Sequence, residues 1–442
     1  MTDSVDLLLS GDVVLTVDAE GTVVPNGCVA VRDGRIVDVG LRDDLVSRYS
    51  PSEVVDAPGC VVMPGWVNTH AHLAMNVYRG TADDVTLEEF LERLMGAETR
   101  ALNEDMVTVG VRAAIAECLA GGTTTALDMY WYPQAARAVA RQAGFRLLNG
   151  PTFVGQADPD GNDFDATLER AEAILEQNRA ESPDEDLWVM PHSTYTLDRD
   201  QLRRIAELAV RFGARINTHA CESEGELELV QKLHASRPVE VLAAEGLLGP
   251  TTVLAHAVHL SDDDIRRISE VGAMVAHCPV SNLKLGCGIA RVPELLAADV
   301  RVGLGTDGAA STGPLDLVAT ARMAALLHKG TTRDPTTVSA ECAVRLGTVE
   351  GARGLGLSDV GTVEIGMRAD LQVVETATLN TEPTADPWAA VVYGASAADV
   401  RHTIIDGRFV MRDRVLQTID EVAALRDLRT IAAEAAAATR QN

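Results

Sequence analysis

Along the middle of the chain, apolar runs end repeatedly in a histidine or an aspartate. The runs lie at 61–68, 123–128, 145–153, 187–191, 214–218, 252–256, 273–277 and 301–306. Helix-like patterns separate several of them, at 134–143, 166–179, 199–212, 261–271 and 315–328. The first run leads into His70 and His72. Later runs close on Asp128, His192, His219, His256, His277 and Asp307. Strand-like runs alternating with helices predict a parallel α/β sheet. An open, doubly wound sheet would give the same periodicity, but its strand ends spread along an edge. In a closed barrel the C-terminal strand ends converge on one mouth, where active sites sit. Metal-binding and titratable side chains at end after end therefore favour a (β/α)8 TIM barrel.

The 442 residues exceed what a barrel of about 250 residues needs, so an accessory domain fits. Residues 5–60 are rich in Val, Ile and Leu and are broken by turn residues such as Asp33, Gly34, Pro58 and Gly59. The same texture returns at 361–376 and 400–415. These flanks predict one small β-sandwich built from both termini, with parts at 1–60 and 359–442 around a barrel at 61–358. An Ala- and Arg-rich helix is expected at about 419–440.

Asp plus Glu number 65 against 38 Lys plus Arg, a formal charge of −27. Such a surface repels nucleic-acid backbones and anionic lipid, and suits a neutral or cationic small-molecule substrate. No apolar stretch approaches the roughly 18 residues of a membrane span. The seven cysteines are scattered, with no C-x-x-C pair, which argues against a disulfide framework or a thiolate zinc finger. The first residues lack a basic segment ahead of the apolar run and read as a strand, not a signal peptide. A cytoplasmic enzyme is expected.

His70 and His72 are two apart on a strand, so both imidazoles face one side and can form half of a metal site. His219 and Asp307 end later runs at the same mouth. Glu222 follows His219 by three residues, close enough to pass a proton in the same cavity. His256 could polarise a water, and His192 and His277 could form walls.

These motifs together resemble the amidohydrolase superfamily, and more narrowly the methylthioadenosine/S-adenosylhomocysteine deaminase group and its chlorohydrolase relatives. The likeness is carried by residues 64–91, GGTTTALDMY (121–130), PHSTYTL (191–197), THACESEGEL (218–227), LAHAVHLSDDDI (254–265), AHCPVSNLKLGCGIARV (276–292) and GLGTDGAASTGPLDL (303–317). The resemblance implies metal ligands His70, His72, His219 and Asp307. It implies Glu222 as proton shuttle, His256 as the residue orienting the hydrolytic water, and Asp307 sharing that work. It implies Glu98, Arg146 and His192 as substrate-binding residues, with Glu98 taking the ribose hydroxyls. The family's usual Trp is Phe90 here, and its Trp-Pro pair before the acid is Met95 and Gly96.

One divalent ion is expected. Two-metal relatives bridge their ions with a modified lysine at the fourth strand, and the chain's three lysines, Lys232, Lys284 and Lys329, all lie elsewhere. Zinc suits three imidazoles and a carboxylate best, and iron(II) suits the same donors. The expected activity is hydrolytic deamination of a 6-aminopurine nucleoside. The alternatives are a triazine-type hydrolase, a deaminase of a free base such as guanine or cytosine, and a non-catalytic scaffold on the same barrel. A homo-oligomer is expected by analogy alone.

Overall fold

The computed structural model describes residues 3–155 and 157–440. Its parallel strands follow one another in chain order. Trp66–His72, Thr123–Asp128 and Arg146–Asn149 form one sheet, with the short strand Asp307–Gly308 beside Trp66–His72. Thr152–Phe153, Trp188–Pro191, Arg215–Ala220, Thr252–His256, Met274–His277 and Arg301–Leu304 form a second. Every residue of Trp66–His72 is buried, as expected for a parallel strand covered on both faces.

The two sheets are joined by continuous chain at both sides. The third apolar run, expected as one strand, is split by Gly150 and Pro151, so that Arg146–Asn149 belongs to the first sheet and Thr152–Phe153 to the second. A Cβ on Gly150 would lie 2.0 Å from the Trp188 carbonyl oxygen, so a side chain there would block the crossing. On the other side, Arg301–Leu304 runs through Gly305 and Thr306 into Asp307, which pairs with Ala71. Asn68 ties that junction: it accepts from the Thr306 backbone N–H at 3.0 Å and donates to Thr306 Oγ1 at 2.7 Å.

The helices between strands start and stop where local chemistry directs. Arg199–Phe212 opens with a capping box of Asp198 and Gln201 and stops at Gly213, whose φ of 60° suits glycine. Its buried residues Leu202, Ile205, Ala206, Ala209 and Phe212 recur at helical spacing. Asp262–Val271 is capped by Ser261 in the same way.

The terminal segments, expected as a small sandwich, are hydrogen-bonded into one nine-stranded mixed sheet. Tyr49–Pro64 is its hub, parallel to Asp3–Leu15 and antiparallel to Leu371–Glu375. The sheet curls, so that Gly34, in the turn between Gly27–Arg32 and Arg35–Leu41, accepts from the Ala369 N–H at 2.9 Å and Arg35 bridges to Arg368. Two details differ from expectation: a helix, Arg42–Arg48, interrupts the N-terminal strands, and only Leu371–Glu375 of the 361–376 segment is a strand. The C-terminal helix Glu421–Thr439 packs against Leu87–Ala101 and Glu104–Ala120, and Arg100 donates to the Ala438 carbonyl at 2.8 Å. Among the described residues no helix is long and apolar enough to cross a membrane.

Candidate active site

His70 and His72 from Trp66–His72, His219 from Arg215–Ala220 and Asp307 from Asp307–Gly308 come together in the interior. The Nε2 atoms of His72 and His219 are 3.2 Å apart, and Asp307 Oδ1 is 3.2 Å from His72 Nε2 and 3.8 Å from His70 Nε2. Backbone carbonyls select the tautomers. His72 Nδ1 donates to Met129 O at 2.5 Å, and His219 Nδ1 donates to His192 O at 2.8 Å. Each of those rings therefore turns a bare Nε2 lone pair inward. Asn217 Nδ2 lies 3.4 Å from His70 Nδ1, and the buried Asn217 Oδ1 has no partner. Turning that amide over brings its oxygen to the ring, lets His70 Nδ1 donate, and leaves the buried, partnerless Nε2 of His70 for the centre.

Lone pairs and a carboxylate converging in a buried space repel one another unless a cation lies among them. The donors thus fit a divalent ion. Burial alone would lower the His72 imidazole, but Asp307 beside it raises it to about 9. Burial, reinforced by the neighbouring imidazoles, pushes His70 and His219 well down. The second oxygen of Asp307 is already saturated, since Ser281 and Ser311 hydroxyls both donate to Oδ2 at 2.6 Å. That leaves Oδ1 for the centre.

Glu222 and His256 stand beside this cluster. Glu222 Oε1 is 3.7 Å from His256 Nε2. The turn carrying Glu222 is pinned by Glu226, whose carboxylate accepts from the backbone N–H groups of Cys221 at 3.1 Å and Glu222 at 2.6 Å. Burial raises the carboxyls of both, Glu226 to about 7. His256 Nδ1 donates to Asn282 Oδ1 at 2.8 Å, which turns Nε2 toward Glu222. His256 and Asp307 have φ of 69° and 68°, a left-handed strand-end conformation that few non-glycine residues adopt and that clusters at functional sites.

A cavity open to the surface lies over these groups. Helix Leu87–Ala101 covers it with Leu87, Phe90, Leu91, Leu94, Met95 and Glu98, one face at helical spacing. Glu98 is 7% exposed, and Tyr130 donates to its Oε1 at 2.5 Å. Its carboxylate is therefore not a solvated surface group. His192 lines the same cavity, its Nδ1 3.1 Å from Ser193 Oγ.

Arg146 is not part of this cavity, contrary to expectation. It is the first residue of its strand, at the end away from the mouth. Its guanidinium is held by Asp370 and Asp406, with Nε 3.0 Å from Asp370 Oδ2 and a terminal nitrogen 3.0 Å from Asp406 Oδ1. It belongs to the seam with the curled sheet. His277, a candidate wall residue, instead faces His328 at 3.2 Å between Nε2 atoms. Sequence reasoning missed Tyr130, Glu226, Ser281, Asn282 and Ser311 as partners of the site. All five sit inside segments that carry the resemblance, but nothing in their spacing marks them.

The amidohydrolase family model matches residues 61–410, and a short match to an imidazolonepropionase-like composite domain of bacteria covers 27–49. The chain belongs to the amidohydrolase family. It is 39% identical to a 5-methylthioadenosine/S-adenosylhomocysteine deaminase of Syntrophobacter fumaroxidans, over 97% of this chain and 98% of the relative. It is 34% identical to a 5′-deoxyadenosine deaminase of Methanosarcina mazei, again over 97% and 98%. The solved structure of an adenosine deaminase from Xanthomonas campestris with bound zinc superposes with a TM-score of 0.94 at 31% identity, covering 98% of each chain. An atrazine chlorohydrolase from Arthrobacter aurescens shares the fold at 22% identity and a TM-score of 0.88, over 96% of this chain and 100% of that one.

Proposed function

We propose that this protein hydrolytically removes the 6-amino group of an adenine nucleoside, releasing ammonia, at a site built around one metal ion. The reading places the chemistry in a (β/α)8 barrel of residues 61–358, with 1–60 and 359–442 as a flanking β-sandwich. The observation that carries it is Glu98, a buried carboxylate on the same cavity as the histidine and aspartate cluster. Catalytic donors need no such group, whereas vicinal ribose hydroxyls do. The deaminase relatives and the zinc-bound adenosine deaminase support it.

His70, His72, His219 and Asp307 would hold the ion, zinc or iron(II), which supplies a Lewis acid that lowers the pKa of water from about 15.7 toward about 7. The chain's own groups then move protons. His256 Nε2, its tautomer set by Asn282, orients the attacking water, and Asp307 Oδ1 stands on the ligand side to hold its proton. Glu222, as the carboxylate, takes one proton from that water and passes it to the purine nitrogen beside the reacting carbon, which makes that carbon more electrophilic, and then relays the second water proton, held by Asp307, to the departing amine. The C–N bond breaks, ammonia leaves and a ring carbonyl remains. Glu98 accepts from the ribose hydroxyls, Tyr130 fixes its orientation, and His192 walls the ring.

The test compares kcat/KM for adenosine and 2′-deoxyadenosine in the parent and in Glu98→Ala. Loss of a hydrogen bond to a buried charged group should make 2′-deoxyadenosine about 10-fold poorer or worse in the parent. Glu98→Ala should remove most of that preference. A parent that does not discriminate overturns the ribose contact and moves a free base or triazine to first place.

A further inference from the structure

The cavity carries carboxylates, and its imidazoles all lie at the inner end beside the proposed metal donors. Glu98, Glu222 and Asp307 are its carboxylates, and among the described residues lining it none is lysine or arginine. Basic side chains on the surrounding segments are engaged elsewhere. Arg79 pairs with Glu117, Arg93 with Glu89 and Lys284 with Asp83. Arg100 is bonded to the Ala438 carbonyl, and Arg146 to Asp370 and Asp406. The rim is apolar as well. Leu91 and Met95 are partly exposed there, two turns and one turn before the buried Glu98 on the same helix face.

We infer that the site selects adenine nucleosides whose 5′ substituent is apolar and carries no negative charge, and that it discriminates against carboxylate- or phosphate-bearing ones. This rests on the proposed deamination. With the purine toward the metal donors and the ribose hydroxyls on Glu98, the 5′ substituent is the part farthest from the reacting carbon. It meets the Leu91 and Met95 rim. A thioether or methyl group gains contact there. A carboxylate or phosphate loses water against an apolar wall, finds no cation, and lies near Glu98 in a chain of formal charge −27.

The experiment measures kcat/KM for methylthioadenosine, S-adenosylhomocysteine, its methyl ester and adenosine 5′-monophosphate. Methylthioadenosine should exceed S-adenosylhomocysteine by about 10-fold or more, with the monophosphate poorer still. The methyl ester, similar in size but without the carboxylate, should recover much of the loss. Met95→Arg, or Leu91→Arg if the first variant folds poorly, should raise S-adenosylhomocysteine relative to methylthioadenosine. Equal use of methylthioadenosine and S-adenosylhomocysteine by the parent overturns the selectivity and leaves the deaminase reading standing. Absence of turnover of every adenine nucleoside overturns both.

Discussion

Asn282 Oδ1 accepts a hydrogen bond from His256 Nδ1 at 2.8 Å, and that contact decides which ring nitrogen faces Glu222. Partners of this kind orient a functional imidazole and are worth about 10–100-fold in activity. Asn282→Leu should lower kcat by that order while metal content stays at the parent level. Undiminished kcat in the variant would show that packing alone holds the ring.

Elemental analysis should find about one transition-metal ion per chain, the number that one set of three imidazoles and a carboxylate accommodates. His219→Ala should lose most of it, because the remaining donors come from only two places in the fold. Two ions per chain at full activity would contradict the single-ion reading.

Glu222→Gln keeps the side-chain shape and removes the proton acceptor. Turnover should fall about 100-fold or more with metal retained. The pH profile gives a second check. The carboxylate is the working form, and burial raises its pKa. Activity should therefore fall as pH drops through a value above the ordinary glutamate range of about 4.3. A profile flat down to that range would mean another group carries the proton.

Arg146→Ala leaves Asp370, whose side chain is 1% exposed, as a buried carboxylate without its main partner. Breaking such a pair costs about 3–5 kcal/mol, visible in denaturant unfolding, while kcat/KM per folded molecule should not change. Burial already raises the Asp370 carboxyl. The variant's deficit should grow as pH rises through the carboxylate range and shrink toward acid, where Asp370 is neutral. An activity loss at unchanged stability would restore Arg146 to the substrate site.

The convergence of His70, His72, His219 and Asp307 was legible in the sequence because strand ends impose order: an apolar run followed by such a residue can be placed on a mouth by period alone. Arg146 shows the limit. Periodicity identifies a strand, but an arginine at its first residue is at the opposite end from one at its last, and only the pairing with Asp370 and Asp406 reveals the difference. The terminal β segments were legible as strands. Their union in one sheet was not, because the pairing of Tyr49–Pro64 with Leu371–Glu375 spans most of the chain and leaves no local trace. Tyr130, Glu226 and Asn282 were hidden for the same reason: their partners Glu98, Glu222 and His256 are set by three-dimensional approach.

The pairing of Asp307 with Ala71 places two parts of the metal cluster on neighbouring strands that are far apart in the chain. During synthesis the first two imidazoles emerge long before the carboxylate, so the complete donor set cannot form until the last parallel strand has been made and has returned to the first. On the proposed ligand set, full affinity for the ion would arrive only at the end of folding. A chain stalled before Asp307 should hold metal only weakly, and in the stripped protein, amide hydrogens along Trp66–His72 should exchange earlier than those of Thr252–His256.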